Sequence, residues 1–332
     1  MKNLQATLAL LIALLLGAAP AFAAATGGGE PLNFLLLDGN ARAVALGGAY
    51  TALATDANAL LYNPAGLARI SRDEATFMHN SYFTGVYQEY AAYASPKGWG
   101  ANLNYLNSGS VANTSVSNPD GSGGSSDLTD LAFTGGYGRK LGESLSVGGS
   151  LKYVRESIAG VTGTAFALDA GAMFAVSQVP GLTLGGSILN LGPTVKFQAA
   201  NENLPLNIRG GAAYIFDVMG QKSTFAFDVS KERSSSLVVA FGMETVLAKV
   251  LPIRLGFTTN NDAGPGITTG VGYIYNGLAF DYAFVPLGDL GNAHRMSVTW
   301  RWGAPKKSVA ATSVPAPIPV AAPPVNAPAD TK

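Results

Sequence analysis

The chain has no cysteine, two histidines and few charges, with Lys, Arg, Asp and Glu together making up 13% of 332 residues. Without cysteine there can be no disulfide framework, no thiolate metal site, no cysteine nucleophile and no lipidated cysteine. Soluble domains carry about 25% charge, so a proportion this low implies that much of the outer surface is not built to face water. The 21 basic residues are balanced by 21 acidic ones, which leaves no basic surface of the kind that nucleic-acid binding needs. Only His79 and His294 could serve as neutral-pH bases, and no G-x-S-x-G elbow, H-E-x-x-H pair or Walker loop is present. The chain is therefore read as non-enzymatic, with no catalytic residues, metal site or cofactor.

Long apolar runs are also missing, apart from residues 6–19. That run follows Met1-Lys2-Asn3 and precedes Pro20-Ala21-Phe22-Ala23-Ala24, the pattern of a secretory signal peptide, and it is short for a spanning helix. The expected organisation is a signal peptide over 1–23, an N-terminal hatch over 24–72, a barrel over 73–303 and a tail over 304–332. The tail is Pro- and Ala-rich, with almost no aromatic residues, so it reads as an extended periplasmic tether.

With no helix able to cross a bilayer after the signal peptide, the remaining way across is a closed sheet in which every backbone group pairs. Such strands alternate between a lipid face and a lumen face. Phe225, Phe227 and Val229 alternate with Thr224, Ala226, Asp228 and Ser230. Leu278, Phe280, Tyr282 and Phe284 alternate with Ala279, Asp281 and Ala283, and Met296, Val298, Trp300 and Trp302 with Arg295, Ser297, Thr299 and Arg301. Over 204–216 the same reading puts Leu204, Leu206, Ile208 and Tyr214 on the lipid face, opposite Asn207, Arg209 and Gly211. About fourteen such segments follow one another. The fold class is thus an all-β, transmembrane antiparallel barrel of about fourteen strands with a short, partly helical N-terminal plug. The longer connections, at 108–126, 191–203, 259–266 and 286–293, fall at one end, expected outside, and the short turns fall at the other. Both termini are then periplasmic, and the site is a Gram-negative-type cell outer membrane. Trp99, Trp300 and Trp302 suit an interfacial aromatic belt. A soluble β-sandwich would alternate too, with the aromatic rows in a dry core.

Residues ahead of the first strand do not alternate. Thr55 or Asp56 is expected to cap a short helix running through Leu61, which Pro64 ends. The stretch 41–68, ARAxALGGAYTAxATDAxAxxYNPAGLA, resembles the N-terminal signature of the PorV/PorQ family of outer-membrane barrels, which is similar in turn to the FadL family of hydrophobic-compound transporters. The run 288–298 also resembles that family's final-strand pattern. The resemblance implies a fourteen-stranded barrel with a hatch, which passes hydrophobic small molecules past the hatch and sometimes through a lateral opening. PorV-like members instead serve type IX-like protein secretion as accessory or shuttle proteins, so the partners to expect are outer-membrane lipid, a hydrophobic small molecule in the lumen or an exported protein. Arg42, Gly47, Gly48, Asp56, Asn63, Pro64, Ala65 and Gly66 match the signature, and the resemblance gives them the seating of the hatch or contact with a ligand. Arg42 and Asp56, enclosed, each need a partner: one another, or Asp169, Asp228, Arg209, Arg254 or Asp281. Alternatively, Arg42 receives a ligand's carboxylate. A transporter should carry an apolar pocket between hatch and wall.

Overall fold

The structure, a computed structural model, describes residues 32–306 apart from 83–84, 122–123, 159, 198–199 and 262. The expected signal peptide and all but the first residues of the expected tail lie outside the described residues. Sixteen strands follow a short irregular segment: β1 (Asp73–Ser81), β2 (Tyr87–Ala94), β3 (Trp99–Ala112), β4 (Ser125–Leu141), β5 (Leu145–Ile158), β6 (Val161–Ala175), β7 (Leu182–Leu191), β8 (Val195–Phe197), β9 (Ala200–Glu202), β10 (Asn207–Val218), β11 (Gln221–Glu232), β12 (Leu237–Leu247), β13 (Leu251–Thr258), β14 (Ile267–Tyr275), β15 (Leu278–Pro286) and β16 (Asn292–Trp302). β8 and β9 form a separate hairpin. The other fourteen make a closed barrel in chain order, with β1 pairing antiparallel to β16 from Asp73↔Trp302 to Ser81↔His294. Closure removes both free edges, so the wall satisfies its own backbone.

The two faces of the wall are the reverse of a soluble protein's. Phe77, Leu103, Phe133, Leu151, Phe166, Leu255, Phe280 and Trp300 point outward and are 43% to 58% exposed, whereas Lys152, Asp169, Asp228, Glu244, Arg254 and Asp281 are buried inside. A continuous apolar exterior around a charged interior is stable only in lipid. That arrangement excludes the soluble sandwich. Among the described residues no helix is long and apolar enough to cross a membrane. Aromatic rings gather where β1 begins and β16 ends: Tyr93 lies 5.0 Å from Trp99 and 6.0 Å from Trp302, and Trp302 lies 4.6 Å from Trp300.

The long connections 113–124, 192–206 and 259–266 share one end of the barrel, the loop end, with tight turns such as 142–144, 219–220 and 276–277 at the other. One expectation needs correcting here. Residues 204–206 are not part of a lipid-facing strand: β10 begins at Asn207, and Leu204 is buried indoors with Leu32, Phe34 and Val195. Pro205 cannot donate to a ladder, so the chain turns inward before the strand starts. The connection 191–203 carries the β8–β9 hairpin, which tucks Val195 into the same cluster.

Inverted faces make a direct prediction. Leu255→Arg should destabilise the barrel in lipid vesicles by about 2–4 kcal/mol, read from chemical unfolding. An unchanged midpoint would mean that this face meets water.

Candidate functional site

The segment 32–72 fills the lumen, and its turns are set locally. Asn40 caps the helix Ala41–Ala45 by accepting from the backbone N–H groups of Arg42, at 2.7 Å, and Ala43, at 3.2 Å. Asn63 likewise caps the 3₁₀ turn Pro64–Arg69 by accepting from Ala65, at 3.1 Å, with Pro64 in the first turn. The expected helix from Thr55 or Asp56 to Leu61 is shorter and later, Ala59–Tyr62. Asp56 does not cap it, since its carboxylate accepts from the Asn58 N–H at 3.0 Å in a local turn and from the Tyr50 hydroxyl.

Glycines in the wall make room for this segment. Gly138, Gly148 and Gly171 lie directly across from one another on β4, β5 and β6. A Cβ at Gly148 would stand 2.3 Å from the Pro64 carbonyl, one at Gly138 2.7 Å from the Ala68 nitrogen, and one at Gly171 2.1 Å from Asn63 Oδ1. On the far wall, Cβ atoms on the paired Gly242 and Gly256 would meet Leu46 at 2.6 Å and Gly47 at 2.2 Å. Within the hatch, Gly47 combines a φ of +69° with a seat 2.4 Å from the Phe257 carbonyl, and Gly66 would strike Ala54. Gly48, with a φ of +80°, turns its carbonyl to accept from Arg209 at 2.7 Å.

Ion pairs lock the other contacts. Arg42 donates Nε and Nη2 to the two oxygens of Glu244 at 2.8 and 2.7 Å. Glu244 also accepts from Arg254 Nε at 2.6 Å, and Arg254 reaches Asp281 at 2.7 Å. Arg42 and Asp56 are therefore not partners. Tyr50 stands between them, accepting from Arg42 at 3.2 Å and donating to Asp56. The partner of Arg42, Glu244, was not among the candidates named from the sequence, although it is the one acid in β12. Asp228 holds a second lock, accepting from the Tyr50 and Thr51 nitrogens, at 3.1 and 2.9 Å, and from Arg209 at 3.0 Å. Burial raises the Tyr50 and Tyr62 phenols well above their ordinary range, so both stay protonated as donors.

Between the hatch and strands β11 to β16, at the loop end, lies a cavity of about 200 Å³. It is not the apolar pocket expected: Leu36, Leu37, Val44, Val285 and Leu287 share it with Asp38, Arg209, Asp228, Glu232 and Arg295. A separate cleft of about 10 Å³ is lined by Leu36, Leu37, Asp38 and Arg209 together with Leu189 and Asn190 of β7. There the wall is irregular. Leu168 pairs with Leu191 and Ala170 with Ile188, so Asp169 faces two residues, and both Leu189 and Asn190 point inward. Directly outside, Leu151, Leu168, Ile188 and Leu191 line a lipid-facing groove of about 610 Å³ over Gly135 and Gly149. The histidines take no part. His79 bonds Glu89 at 2.8 Å, and His294 bonds Tyr282 at 2.7 Å on the outer face.

The lock and the seat can be tested separately. Glu244→Gln leaves the partly buried Arg42 without its anion and Arg254 with Asp281 alone, and should lower stability by roughly 3 kcal/mol in detergent unfolding. Gly148→Val should make the hatch segment cleavable by protease, while Gly210→Val, outward with open space around it, should leave it protected. Equal protection in both variants would show that the hatch does not rest on Gly148.

Residues 23–218 match the model of an uncharacterised protein family, UPF0164. Two curated relatives, both UPF0164 proteins of Treponema pallidum (strain Nichols), are 33% identical over 164 residues and 29% identical over 181. Those alignments cover 46% and 49% of this chain and 50% and 44% of the relatives, so the chain spans about half the length of the curated relatives it matches. Among solved structures, the CymD monoaromatic hydrocarbon channel superimposes with a TM-score of 0.55 at 12% identity, over 80% of this chain and 98% of that one. The Ralstonia pickettii toluene transporter TbuX gives 0.55 at 14% identity, over 80% and 99%. The Pseudomonas putida toluene transporter TodX gives 0.52 at 13%, over 79% and 96%. At such identities the likeness is one of fold: a fourteen-stranded outer-membrane type of barrel.

Proposed function

This chain belongs to the UPF0164 family, and on that footing we propose that it carries small, mainly apolar molecules across the outer membrane, past the hatch and sideways through the wall between β6 and β7. The observation that carries this reading is the wall irregularity between β6 and β7, with a cleft of about 10 Å³ on its inner side and a lipid-facing groove of about 610 Å³ on its outer side. The solute class is suggested by the fold's neighbours, a monoaromatic hydrocarbon channel and two toluene transporters. The loop end is taken to face outward, with both termini periplasmic.

Energetics favour the sideways route over the axial one. Moving the hatch out would break the Arg42–Glu244 and Arg209–Asp228 pairs together, each loss being on the order of 3–5 kcal/mol, and would lift the backbone from its glycine seats. Opening the wall disturbs one cluster. Asn190, with a φ of +62°, donates its N–H to Asp169 at 2.7 Å, and Lys152 Nζ reaches Asp169 at 3.4 Å and Asn190 Oδ1 at 2.5 Å. Here side chains bridge a seam where the backbone ladder is interrupted.

The test uses the lack of native cysteine. Leu168→Cys with Leu191→Cys places two thiols on directly paired residues, within the reach a disulfide needs. Oxidation should slow toluene uptake into proteoliposomes by roughly tenfold or more, with recovery on reduction, as a closed gate requires. Unchanged uptake after oxidation would rule out the wall as the route. If the folded wild type neither binds nor passes toluene, the transport reading itself fails, and the PorV/PorQ-like alternative, an accessory protein with an exported protein partner, takes its place.

A further inference from the structure

We infer that the groove on the outer wall over β4 to β6 is a binding site for one phospholipid with a net negative headgroup, its phosphate at Arg139 and an acyl chain lying over Gly135 and Gly149. This goes beyond the transport reading and does not rest on it. The groove, of about 610 Å³, falls within the roughly 300–1,000 Å³ span of sites that hold small organic ligands. Leu151, Leu168, Ile188 and Leu191 wall it, and Gly135 forms part of its floor. No requirement of the fold explains that glycine. Its φ is not left-handed, and a Cβ there would meet nothing within 4 Å, in contrast to Gly138 and Gly148 on the lumen face. A glycine inside a strand weakens it and often marks a place where something else approaches closely, and here the approach is from the lipid side.

Depth and charge identify the occupant. Tyr137 lines the groove and pairs directly with Trp99, so the groove reaches down into the aromatic belt, whose rings sit at headgroup level. Arg139 follows Tyr137 on the same outward face, since Gly138 between them faces the hatch, and lies about 7 Å further toward the turn. Lys97 stands beside it, because the Gly138 nitrogen donates to the Gly98 carbonyl at 2.8 Å, and Lys140 is next in the chain. All three are exposed, and among the described residues none has an ion-pair partner. Of the acids at this corner, Asp73 is engaged by the Tyr93 hydroxyl at 2.5 Å, and Glu143, exposed in the turn 142–144, bonds to none of the three.

Uncompensated cations at the foot of an apolar groove match the two parts of an anionic phospholipid. The guanidinium fork suits a phosphate, the lysines add attraction to negative headgroups, and the groove receives the chain. The same groove is the outer side of the seam between β6 and β7, so this lipid is what a solute leaving there would meet.

The experiment is native mass spectrometry of the detergent-purified protein, titrated with phosphatidylglycerol and separately with phosphatidylcholine of the same chains, in wild type, Arg139→Gln, Arg139→Lys, Gly135→Leu and Lys222→Gln. In wild type the first phosphatidylglycerol should bind roughly fivefold or more tighter than the first phosphatidylcholine, the scale of one basic side chain at a lipid surface. Arg139→Gln should remove most of that preference and leave phosphatidylcholine unchanged, whereas a merely structural role for Arg139 would move both lipids. Arg139→Lys should keep part of it. Gly135→Leu, which fills the floor, should weaken both lipids together. Lys222→Gln, exposed at the same end on β11 and away from the groove, should change neither. Equal affinity for the two lipids in folded wild type, or the same loss from Lys222→Gln as from Arg139→Gln, overturns the site. Gly135→Leu without effect on either lipid overturns the placement of the chain. A dimer that forms without lipid and is lost in Gly135→Leu puts a second copy in the groove and overturns the lipid assignment. Toluene uptake is read separately, so the transport reading stands or falls on its own test.

Discussion

In this barrel the hatch backbone lies so close to the wall that no Cβ fits between them at Gly138, Gly148 or Gly256. Much of the interior depends on that contact. Because main chain meets main chain, the hatch cannot bury its polar groups behind bulky side chains and must exchange hydrogen bonds with the wall. Asn63 donates to the Thr51 and Ala172 carbonyls at 3.1 and 3.0 Å, Ser187 donates to the Tyr62 carbonyl at 2.6 Å, and Gly47 donates to Thr268 at 3.2 Å. The charges follow from the same enclosure. Once lipid surrounds the wall and the hatch excludes water from inside it, each lumen carboxylate and guanidinium needs a counter-charge at hand. Some of the pairs that meet this need tie residues more than 200 positions apart, such as Arg42 and Glu244 or Arg301 and Glu74.

The wall was legible in the sequence because lipid outside and polar lumen inside impose a strict period of two. In β16 the apolar Met296, Val298 and Trp300 lie outside and Arg295, Ser297 and Thr299 inside, as the pattern demands. The helix end set by Pro64 was legible for a related reason, since proline acts on the residue just before it. What the sequence did not reveal is whatever depends on the partner across the lumen. Gly138, Gly148 and Gly171 look in the sequence like any small lumen residue, and only the register of three strands makes them one seat. Glu244 alternates correctly but gives no sign of facing Arg42. Leu204 obeyed the apolar period yet lies indoors, because Pro205 ends the ladder before it. The double inward step at Leu189 and Asn190 is invisible for the opposite reason: period-two reading assumes that a strand keeps its register throughout.

The stretch matching UPF0164, 23–218, takes in the whole hatch, the glycine seat on β4 to β6 and the irregular seam at β7. Glu244, which answers Arg42, and Arg254 beside it come from strands after it. The interior thus divides along the chain. Strands on both sides of that boundary seat the hatch through glycine, whereas Asp228 and Glu244, the wall carboxylates that fasten it, both lie after it.

The pairing of β1 with β16 also has a consequence for the order in which the molecule can be made. The Lys306 nitrogen donates to the Ser71 carbonyl at 2.7 Å, so the segment leading out of the hatch and the residue after the last strand meet at one seam. Contacts of such sequence separation form slowly, after the local hairpins. A hatch whose backbone touches both walls through glycine cannot be threaded into a finished cylinder. It must therefore already lie against the growing sheet when β16 arrives, and the barrel is wrapped around its own N-terminal segment as a mould is closed on a core.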